Sequence, residues 1–335
     1  MANLTILVTH LEVPQVGLDI LSRSCNLVFC ESLPPNRSEI LEKAKGVDGI
    51  LWATHEPLNG EVLDAAGPNL KSISTMSADL DFVDIPTLKN RRMPLGYTPD
   101  LEYSAIATLA VGLMISAARR FDEGRVKIET GHWETHHLQW MLGQEVKGGI
   151  VGFLGFSELG QTIAKRLQGF DTQKFIYTSD KDEPDASDYK AQKVSFEDLL
   201  KQSDFIFITC PLTKETKGKF NATAFNQMKP TSVLINVSNG GIVDQDALYD
   251  ALKTQKIFAA GIDETTPEPL PKTSKLLQLS NLIVTPHLGS STKRTVDDMA
   301  VIAAHNVIRG IAGEPMFAPA YILPPEKTPE VISKD

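Results

Sequence analysis

Short apolar runs alternate with amphipathic stretches over the first hundred residues of the chain. The apolar runs lie at residues 5–9, 26–30, 49–53, 72–76 and 94–97. Strands that alternate with helices predict parallel βαβ units, and here a small five-stranded flavodoxin-like sheet. Asp84 precedes Ile-Pro, so we expect it to be the N-cap of a helix with Pro86 in its first turn.

The same alternation resumes after a long apolar segment. A helix is predicted from about Ser104 to Thr130, and a last helix from Thr292 to Ile311. Six strands are predicted between these helices, near 150–154, 174–178, 205–209, 232–236, 257–261 and 282–285. We expect the last helix to return to the first sheet. Residues 324–335 are rich in proline and charge, which favours a flexible tail.

The length of the chain predicts two domains. Its 335 residues exceed one comfortable core and suit two domains of roughly 100–200 residues each. We assign residues 1–103 with 291–323 to the first domain and 104–290 to the second. The predicted fold class is α/β, with two Rossmann-like or flavodoxin-like parallel-sheet domains and an active-site cleft between them.

A glycine-containing turn connects one predicted strand to the next helix. It comprises Gly155, Phe156, Ser157, Glu158, Leu159 and Gly160. A dinucleotide-binding G-x-G-x-x-G turn uses its glycines for the tight turn, for approach to the pyrophosphate and for helix packing, and here Ser157 holds the second place. Asp180 follows the next strand, where a carboxylate would accept hydrogen bonds from a ribose. The turn alone is also compatible with an ordinary strand-to-helix connection, but the whole pattern predicts a dinucleotide site.

Composition narrows the class of protein. A net charge of −9 and a pI near 5.4 argue against a general affinity for nucleic acid or for anionic membranes. The three cysteines Cys25, Cys30 and Cys210 are too few and odd in number for a disulfide framework, which favours a reducing compartment. The first apolar run lacks the features of a signal peptide. We therefore expect a cytoplasmic protein.

Two further features of the sequence predict neither a membrane span nor a metal site. The apolar segment Ala105–Ala118 is too short to span a bilayer, so we interpret it as a buried helix. His132, His136 and His137 have a spacing that could place two imidazoles on one helical face, but no cysteine or carboxylate completes a ligand set. We expect no metal site.

Three stretches carry a resemblance to a known family. They are residues 234–244, residues 260–269 and residues 284–290. Together they resemble the D-2-hydroxyacid dehydrogenase family, and the match runs almost from end to end of the chain. Residues 74–77, 96–100, 267–271 and 313–316 look most like the glyoxylate/hydroxypyruvate reductase branch of that family.

The resemblance implies a reaction and a set of residues. Hydride would pass between a nicotinamide and C2 of a small 2-oxo acid, converting glyoxylate or hydroxypyruvate to glycolate or D-glycerate. His287 falls on the general acid/base of the family, and Glu268 on the carboxylate that orients it. Asp263 falls where the family holds the nicotinamide carboxamide, and Cys210 and Pro211 fall on a loop that lines the cofactor cleft. Without the family, His287 would be interpreted as a structural loop histidine and Pro-Glu-Pro as a rigid turn.

Several positions depart from the family pattern. Asn239 occupies the place of an arginine that grips the substrate carboxylate. The substrate loop Ser77-Ala78-Asp79 ends in an acid where small residues are usual, and in the cofactor turn Glu158 replaces the usual arginine. These changes shift the charge of the site against anionic ligands. Two hypotheses follow: a reductase of small 2-oxo acids, or a catalytically weakened or inactive paralogue that acts as a dinucleotide sensor or protein-binding module.

Cofactor preference and association are predicted as well. A carboxylate at Asp180 would repel a 2′-phosphate, so we expect NAD(H) to be preferred over NADP(H). The helix 105–118 and the arm 131–141 offer more apolar and aromatic area than one coenzyme domain needs, and the family pairs through this region. The chain is therefore expected to form a homodimer. Residues 1–103 with 291–323 would bind substrate, and residues 104–290 would bind the dinucleotide and carry the dimer contacts.

Overall fold

The computed structural model describes residues 4–134, 137–181 and 183–323. These residues divide into two units. The first unit contains the chain up to Leu101 together with the segment from Lys293, and the second is Glu102–Thr292. The predicted tail at 324–335 and His136 lie outside the described residues.

The first unit is built on a parallel sheet. Its strands are β1 (Leu4–Val8), β2 (Cys25–Phe29), β3 (Gly49–Trp52), β4 (Ser72–Thr75) and β5 (Leu95–Gly96). Within the described residues they pair in the order β2-β1-β3-β4-β5, every pair parallel. The side chains of Ile6, Leu7 and Val8 are completely buried, because both faces of a doubly covered parallel sheet are apolar. The predicted five-stranded sheet is confirmed.

Four short helices connect these strands. They are α1 (Gln15–Ser22), α2 (Arg37–Lys43), α3 (Gly60–Ala66) and α4 (Ile85–Asn90). The carboxylate of Asp84 accepts a hydrogen bond of 3.1 Å from the backbone N–H of Thr87, and Pro86 lies in the first turn of α4. This arrangement satisfies one of the N–H groups that a helix start leaves without a partner. The predicted N-cap is confirmed.

The second unit begins with two helices rather than one. These are α5 (Tyr103–Ala118) and α6 (Phe121–Glu129), so the prediction of a single helix over 104–130 is wrong. Arg120 adopts a left-handed conformation with φ of +57° between them. Its guanidinium donates two hydrogen bonds, of 3.0 and 2.9 Å, to the carboxylate of Glu123. This contact stabilises the new helix start directly after the break.

α5 is the buried helix that its composition predicted. Its inward side chains are Ala107, Ala110, Leu113, Met114, Ala117 and Ala118. No single helix among the described residues is long and apolar enough to cross a membrane. α5 and α6 together meet the requirement of length and composition, but they are bent by 54° at the break.

A second parallel sheet forms the centre of this unit. Its strands are β6 (Ile150–Leu154), β7 (Lys174–Thr178), β8 (Gln192–Lys193), β9 (Phe205–Ile208), β10 (Val233–Asn236), β11 (Ala259–Ile262) and β12 (Leu282–Val284). In the described part of the unit they pair in the order β12-β11-β10-β9-β6-β7-β8. The sequence predicts six of these seven strands. It misses β8, whose two exposed polar residues carry no apolar signal.

Helices cover both faces of this second sheet. Besides α5 they are α7 (Glu158–Leu167), α8 (Phe196–Gln202), α9 (Ala222–Gln227) and α10 (Gln245–Lys253). One apolar cluster contains Phe153 and Phe207, whose rings stack with centroids 5.5 Å apart, and the other contains Ile206 and Leu234. Alternate residues of one strand thus enter opposite layers, as the pleat of a strand requires.

The last helix, α11 (Lys293–Ile311), belongs to the first unit. It packs against α1, β3 and β4, and its side chains Ala300, Ala303 and Val307 share an apolar cluster with Ile6 and Leu51.

A buried amide fixes the end of the chain to the first sheet. Asn306 in α11 is fully buried, and its Nδ2 donates to the hydroxyl of Ser74 and to the carbonyls of Tyr97 and Ala318. Its Oδ1 accepts a hydrogen bond of 3.1 Å from the N–H of Ala318. A buried amide that is satisfied on both sides ties three segments of the first unit together.

Candidate functional site

The predicted site residues of the second unit all follow the carboxyl ends of its strands. They are Gly155 after β6, Asp180 after β7, Cys210 after β9, Asn239 after β10, Asp263 after β11 and His287 after β12. Because every pair in this sheet is parallel, these positions share one edge. The strand order reverses between β6 and β9, and open α/β sheets bind ligands outside the carboxyl ends at such a switch point.

The two glycines of the turn after β6 lie close to atoms of neighbouring segments. Gly155 has φ of +86°, and a Cβ there would lie 2.8 Å from the Cβ of Cys210. At Gly160 a Cβ would lie 3.1 Å from both the carbonyl oxygen of Gly155 and the hydroxyl of Thr209. The turn therefore holds the loops after β6 and β9 in contact at the switch point. A larger residue at Gly155 would force these loops to shift, and one at Gly160 would be tightly packed.

Ser157 and Glu158 form the exposed start of α7. Ser157 is the N-cap residue in an extended conformation, and within the described residues its hydroxyl makes no capping hydrogen bond. The N–H groups of the first helical turn are consequently not taken up by this side chain, and such groups bind the phosphates of a dinucleotide. Glu158 adds a carboxylate at the same end, while Leu159 is buried in the core.

The loops that follow β7 and β9 supply a carboxylate and a neutral thiol. Asp180 is exposed directly after β7. Burial, together with the negative charge of Asp180, raises the pKa of the Cys210 thiol to about 11, although the backbone and Lys219 act in the opposite direction. The carbonyl of Cys210 accepts a hydrogen bond of 2.6 Å from the hydroxyl of Ser238. The next residue, Pro211, is exposed.

Asn239 caps a short turn of 3-10 helix at Gly240–Ile242. Its side-chain oxygen accepts a hydrogen bond of 2.9 Å from the N–H of Gly241. Gly240 is buried against the backbone of Thr265, where a Cβ would come within 2.4 Å of the carbonyl carbon. The position that the resemblance assigns to a substrate-gripping arginine is thus occupied by a side chain engaged with its own backbone.

Asp263 holds the loop that carries His287. It is only 3% exposed, and its carboxylate accepts hydrogen bonds from the N–H groups of Leu288 (2.8 Å) and Gly289 (2.7 Å) and from the hydroxyl of Thr285. The carbonyl of Asp263 also accepts a hydrogen bond of 3.0 Å from the N–H of His287. Asp263 therefore fixes the backbone around His287.

His287 and Glu268 form a hydrogen-bonded pair. Nδ1 of His287 lies 3.0 Å from Oε2 of Glu268, and Oε1 of Glu268 accepts a hydrogen bond of 2.9 Å from the N–H of Thr265. Glu268 is thereby oriented from behind, as the partner of an acid/base histidine must be. His287 itself has a left-handed backbone with φ of +53°. The structure thus brings together the two side chains that the family resemblance assigns to proton transfer.

A second carboxylate, absent from the predicted site, approaches the same imidazole. Oε1 of Glu264 lies 3.8 Å from Nε2 of His287. Burial of the half-exposed ring disfavours its charge, but the hydrogen bond to Glu268 and the charges of Glu264, Glu268 and Asp263 outweigh burial and raise the pKa of His287. The only sequence signal was an acid directly after Asp263.

A pocket of about 550 Å³ lies beside this pair within the second unit. Its polar lining is supplied by Asp263, Thr265, Glu268, Thr285 and His287, and its apolar lining by Pro269, Leu270, Leu277, Val284 and Pro286. A mostly apolar pocket with a few convergent polar groups has the character of a small-molecule site.

The predicted substrate loop of the first unit follows β4 and is acidic. The hydroxyl of Ser77 accepts a hydrogen bond of 3.1 Å from the N–H of Asp79, with Ala78 between them. The carboxylate of Asp79 accepts a hydrogen bond of 2.9 Å from the N–H of Asp81. The charge of Asp79 raises the pKa of Asp81, aided by burial. Asp79 thus folds back onto its own loop.

Comparison with known proteins identifies the family. Residues 111–289 match the model of the D-isomer specific 2-hydroxyacid dehydrogenase NAD binding domain. The chain is 40% identical over 309 residues to the glyoxylate reductase/hydroxypyruvate reductase of Homo sapiens, covering 91% of this chain and 94% of the human protein. The chain belongs to the D-isomer specific 2-hydroxyacid dehydrogenase family.

A further relative agrees with this chain in sequence, and a solved structure agrees with it in fold. A glyoxylate reductase of Thermofilum pendens is 36% identical over 318 residues, covering 94% of this chain and 93% of that protein. The crystal structure of a Thermus thermophilus protein superposes with a TM-score of 0.87 at 30% identity, covering 95% of this chain and all of that chain. The predicted family, its glyoxylate/hydroxypyruvate reductase branch and the fold of two parallel-sheet units are confirmed.

Proposed function

We propose that the protein is an NADH-dependent reductase of a small 2-oxo acid of the glyoxylate or hydroxypyruvate type. The observation that carries this proposal is the hydrogen-bonded pair His287–Glu268, in which Glu268 is itself held by the backbone of Thr265. A pair oriented in this way is the machinery that the family reaction requires. The similarity to the human glyoxylate reductase/hydroxypyruvate reductase and to an archaeal glyoxylate reductase supports the same reaction class.

Each side chain of the pair has a defined task in this reaction. A reduced nicotinamide, when bound, would supply the hydride for C2 of the 2-oxo acid. Protonated His287 donates the proton of Nε2 to the carbonyl oxygen, so that the C=O group becomes an alcohol. Glu268 accepts the hydrogen bond from Nδ1, fixes the ring and stabilises its charge. The raised pKa increases the protonated fraction of the His287 ring relative to a free imidazole.

The described residues fit a dinucleotide. The tight turn at Gly155, the uncapped start of α7 at Ser157 and the exposed carboxylate of Asp180 lie at the carboxyl edge of one sheet. Ser157, Glu158, Leu159 and Gly160 would hold the pyrophosphate through backbone N–H groups. Asp180 would accept hydrogen bonds from the adenosine ribose and repel a 2′-phosphate, which favours NAD(H) over NADP(H).

Recognition of the substrate carboxylate is weakened in this protein. Asn239 supplies no charge, and its side-chain oxygen already accepts a hydrogen bond from the N–H of Gly241. In the first unit, the loop Ser77–Asp79 brings a carboxylate into the segment that the resemblance assigns to the substrate. We therefore expect an enzyme with low affinity for small 2-oxo acid anions.

Two residues that differ from the family pattern, Asn239 and Asp79, also favour a second function. If Asn239 and Asp79 abolish carboxylate binding, the protein would still bind a dinucleotide and would act as a sensor or a protein-binding module. The capped conformation of Asn239 favours this alternative, because the side chain already has a structural role.

We also propose a homodimer, through α6 and the predicted arm at 131–141 rather than through α5. α5 buries its apolar face in its own unit, so it has little to offer a partner. The exposed apolar side chains lie instead on α6 and the segment that follows it: Phe121, Val126, Ile128, Trp133, Leu138 and Leu142. A patch of this kind is typical of a protein interface. Free thiols at all three cysteines are consistent with a reducing, cytoplasmic location.

One experiment separates the two functions. Steady-state assays with glyoxylate and with hydroxypyruvate, each with NADH and with NADPH, are compared with a His287→Ala control. NADH binding is measured in parallel by calorimetry. Turnover above the control supports the reductase. NADH binding without turnover in any combination supports the dinucleotide sensor. Absence of both turnover and NADH binding refutes the reductase and the sensor, and leaves the protein-binding module.

A further inference from the structure

Both ring nitrogens of His287 face carboxylates. Nδ1 is hydrogen-bonded to Glu268 at 3.0 Å, and Nε2 lies 3.8 Å from Oε1 of Glu264. The distance to Glu264 is within the range of an ion pair but beyond that of a hydrogen bond. The proton on Nε2 therefore remains available to a substrate, while a negative charge lies next to it.

The fold fixes Glu264 in this place. Glu264 directly follows Asp263. The backbone carbonyl of Asp263 accepts a hydrogen bond from the N–H of His287. Its carboxylate accepts hydrogen bonds from the N–H groups of Leu288 and Gly289. The side chain of Glu264 is 23% exposed, whereas that of His287 is 55% exposed. Glu264 is thus less accessible than His287. The neighbouring Asp263 positions both residues.

We propose that Glu264 determines specificity, by weakening the binding of substrates that carry a negative charge next to the reacting carbonyl. This inference rests on the proposed function, because it assigns Nε2 of His287 to the carbonyl oxygen. The carboxylate of a 2-oxo acid is bonded to the carbon that reacts, so it must lie within several ångströms of Glu264. A neutral 2-oxo compound avoids this repulsion.

The size of the effect follows from the distance and the partial exposure. Two like charges about 6 Å apart repel appreciably at the effective dielectric of a partly buried site, and salt and solvent reduce the repulsion. We expect removal of the charge to lower KM for an anionic substrate about tenfold. The neutral Asn239 offers no positive charge to offset Glu264.

Glu264 also acts on the protonation of His287. The charged groups of the second unit that face this ring are Glu264, Glu268 and Asp263. Removal of the Glu264 charge should lower the pKa of His287, because one of the charges that favour the imidazolium is lost. The limb of kcat/KM that falls as pH rises should then move to lower pH, since reduction requires the protonated ring.

The test compares Glu264→Gln with a matched control. Glu197→Gln removes the same single charge from α8, where Glu197 pairs only with Lys201 among the ion pairs of the described residues. KM is measured with glyoxylate and with its neutral methyl ester. In Glu264→Gln we expect KM for glyoxylate to fall about tenfold and KM for the ester to change less than twofold. The control should leave both values unchanged.

A readout independent of turnover completes the test. NMR titration of the His287 ring should give a lower pKa in Glu264→Gln than in the wild type, and calorimetry in the presence of NADH should show tighter binding of oxamate, an anionic substrate analogue. If KM for glyoxylate and ester fall equally, or if neither the pKa nor oxamate binding changes, the proposal is overturned. If the wild type reduces neither substrate, the proposed reductase fails, and the oxamate and pKa measurements still decide the role of Glu264.

Discussion

Replacing Asn239 by arginine tests whether this one position limits the reaction. A hydrogen bond to a charged group contributes about 1.5–3 kcal/mol, so a two-pronged grip on a carboxylate contributes roughly 3–6 kcal/mol. This range corresponds to a gain on the order of 10² to 10⁴ in kcat/KM. Gly240, the residue after Asn239, lies against Thr265, which follows Glu264 and donates a hydrogen bond to Glu268. These two carboxylates would also attract a new cation, so we expect Asn239→Arg to give a gain at the lower end of this range, about a hundredfold.

The same substitution has a cost in stability that the structure identifies. Asn239 is an N-cap whose side chain accepts a hydrogen bond from the N–H of Gly241. Loss of an N-cap hydrogen bond destabilises a protein by about 1 kcal/mol. The melting temperature of a unit of this size should fall by roughly 2–4 °C. Asn239→Gln disturbs the cap without adding charge, so it should lose stability and gain no activity.

The assay is kcat/KM for glyoxylate at saturating NADH, with thermal unfolding measured on the same samples. Asn239→Lys should give a smaller gain than Asn239→Arg, because an ammonium group cannot grip a carboxylate with two parallel hydrogen bonds. The reasoning is refuted if Asn239→Arg binds NADH as the wild type does and raises kcat/KM less than threefold.

Three further predictions concern the cofactor and association. Gly155→Ala should abolish NADH binding in calorimetry, because its Cβ would lie 2.8 Å from a neighbouring Cβ at a positive φ, whereas Gly169→Ala, with open space around it, should bind normally. Equal affinities in the two variants would contradict this account of the turn. Asp180→Arg should reverse the preference for NADH over NADPH, and an unchanged ratio of dissociation constants would argue against ribose recognition by Asp180. Leu138, which is 91% exposed, should lie in the dimer contact, so that Leu138→Asp shifts the mass measured by light scattering from dimer to monomer; a wild-type monomer at micromolar concentration would exclude the dimer.

The sequence predicted the fold well because both sheets are built from buried parallel strands. Strands such as β6 and β9 are continuous apolar runs, and this signal does not depend on distant residues. β8 was missed because its pairing rests on two exposed polar residues that happen to lie beside β7. The break between α5 and α6 was missed because it contains neither glycine nor proline, and a left-handed arginine has no signature in sequence.

The candidate site was predicted in its parts rather than in its geometry. The motifs predicted His287 and Glu268 as site residues. In the structure, Nδ1 of His287 lies 3.0 Å from Oε2 of Glu268. The sequence alone did not show that the side chain of Asn239 would accept a hydrogen bond from the N–H of Gly241. An asparagine that caps a turn and one that contacts a ligand can have the same neighbouring residues in sequence. The sequence did not predict that Glu264 belongs to the site. Its distance to Nε2 of His287 depends on the conformations of two loops that follow different strands.

The position of α11 has a consequence for how the chain folds as it is synthesised. The first unit needs Ala300, Ala303 and Val307 to cover Ile6 and Leu51, and these partners are separated by the whole of the second unit. A ribosome releases the continuous second unit complete before α11 emerges, so that unit is free to fold first. The first sheet, although translated at the outset, carries an uncovered apolar face until the last helix is made. The interval in which the nascent protein needs protection from aggregation is therefore set by the length of the domain inserted into the first unit.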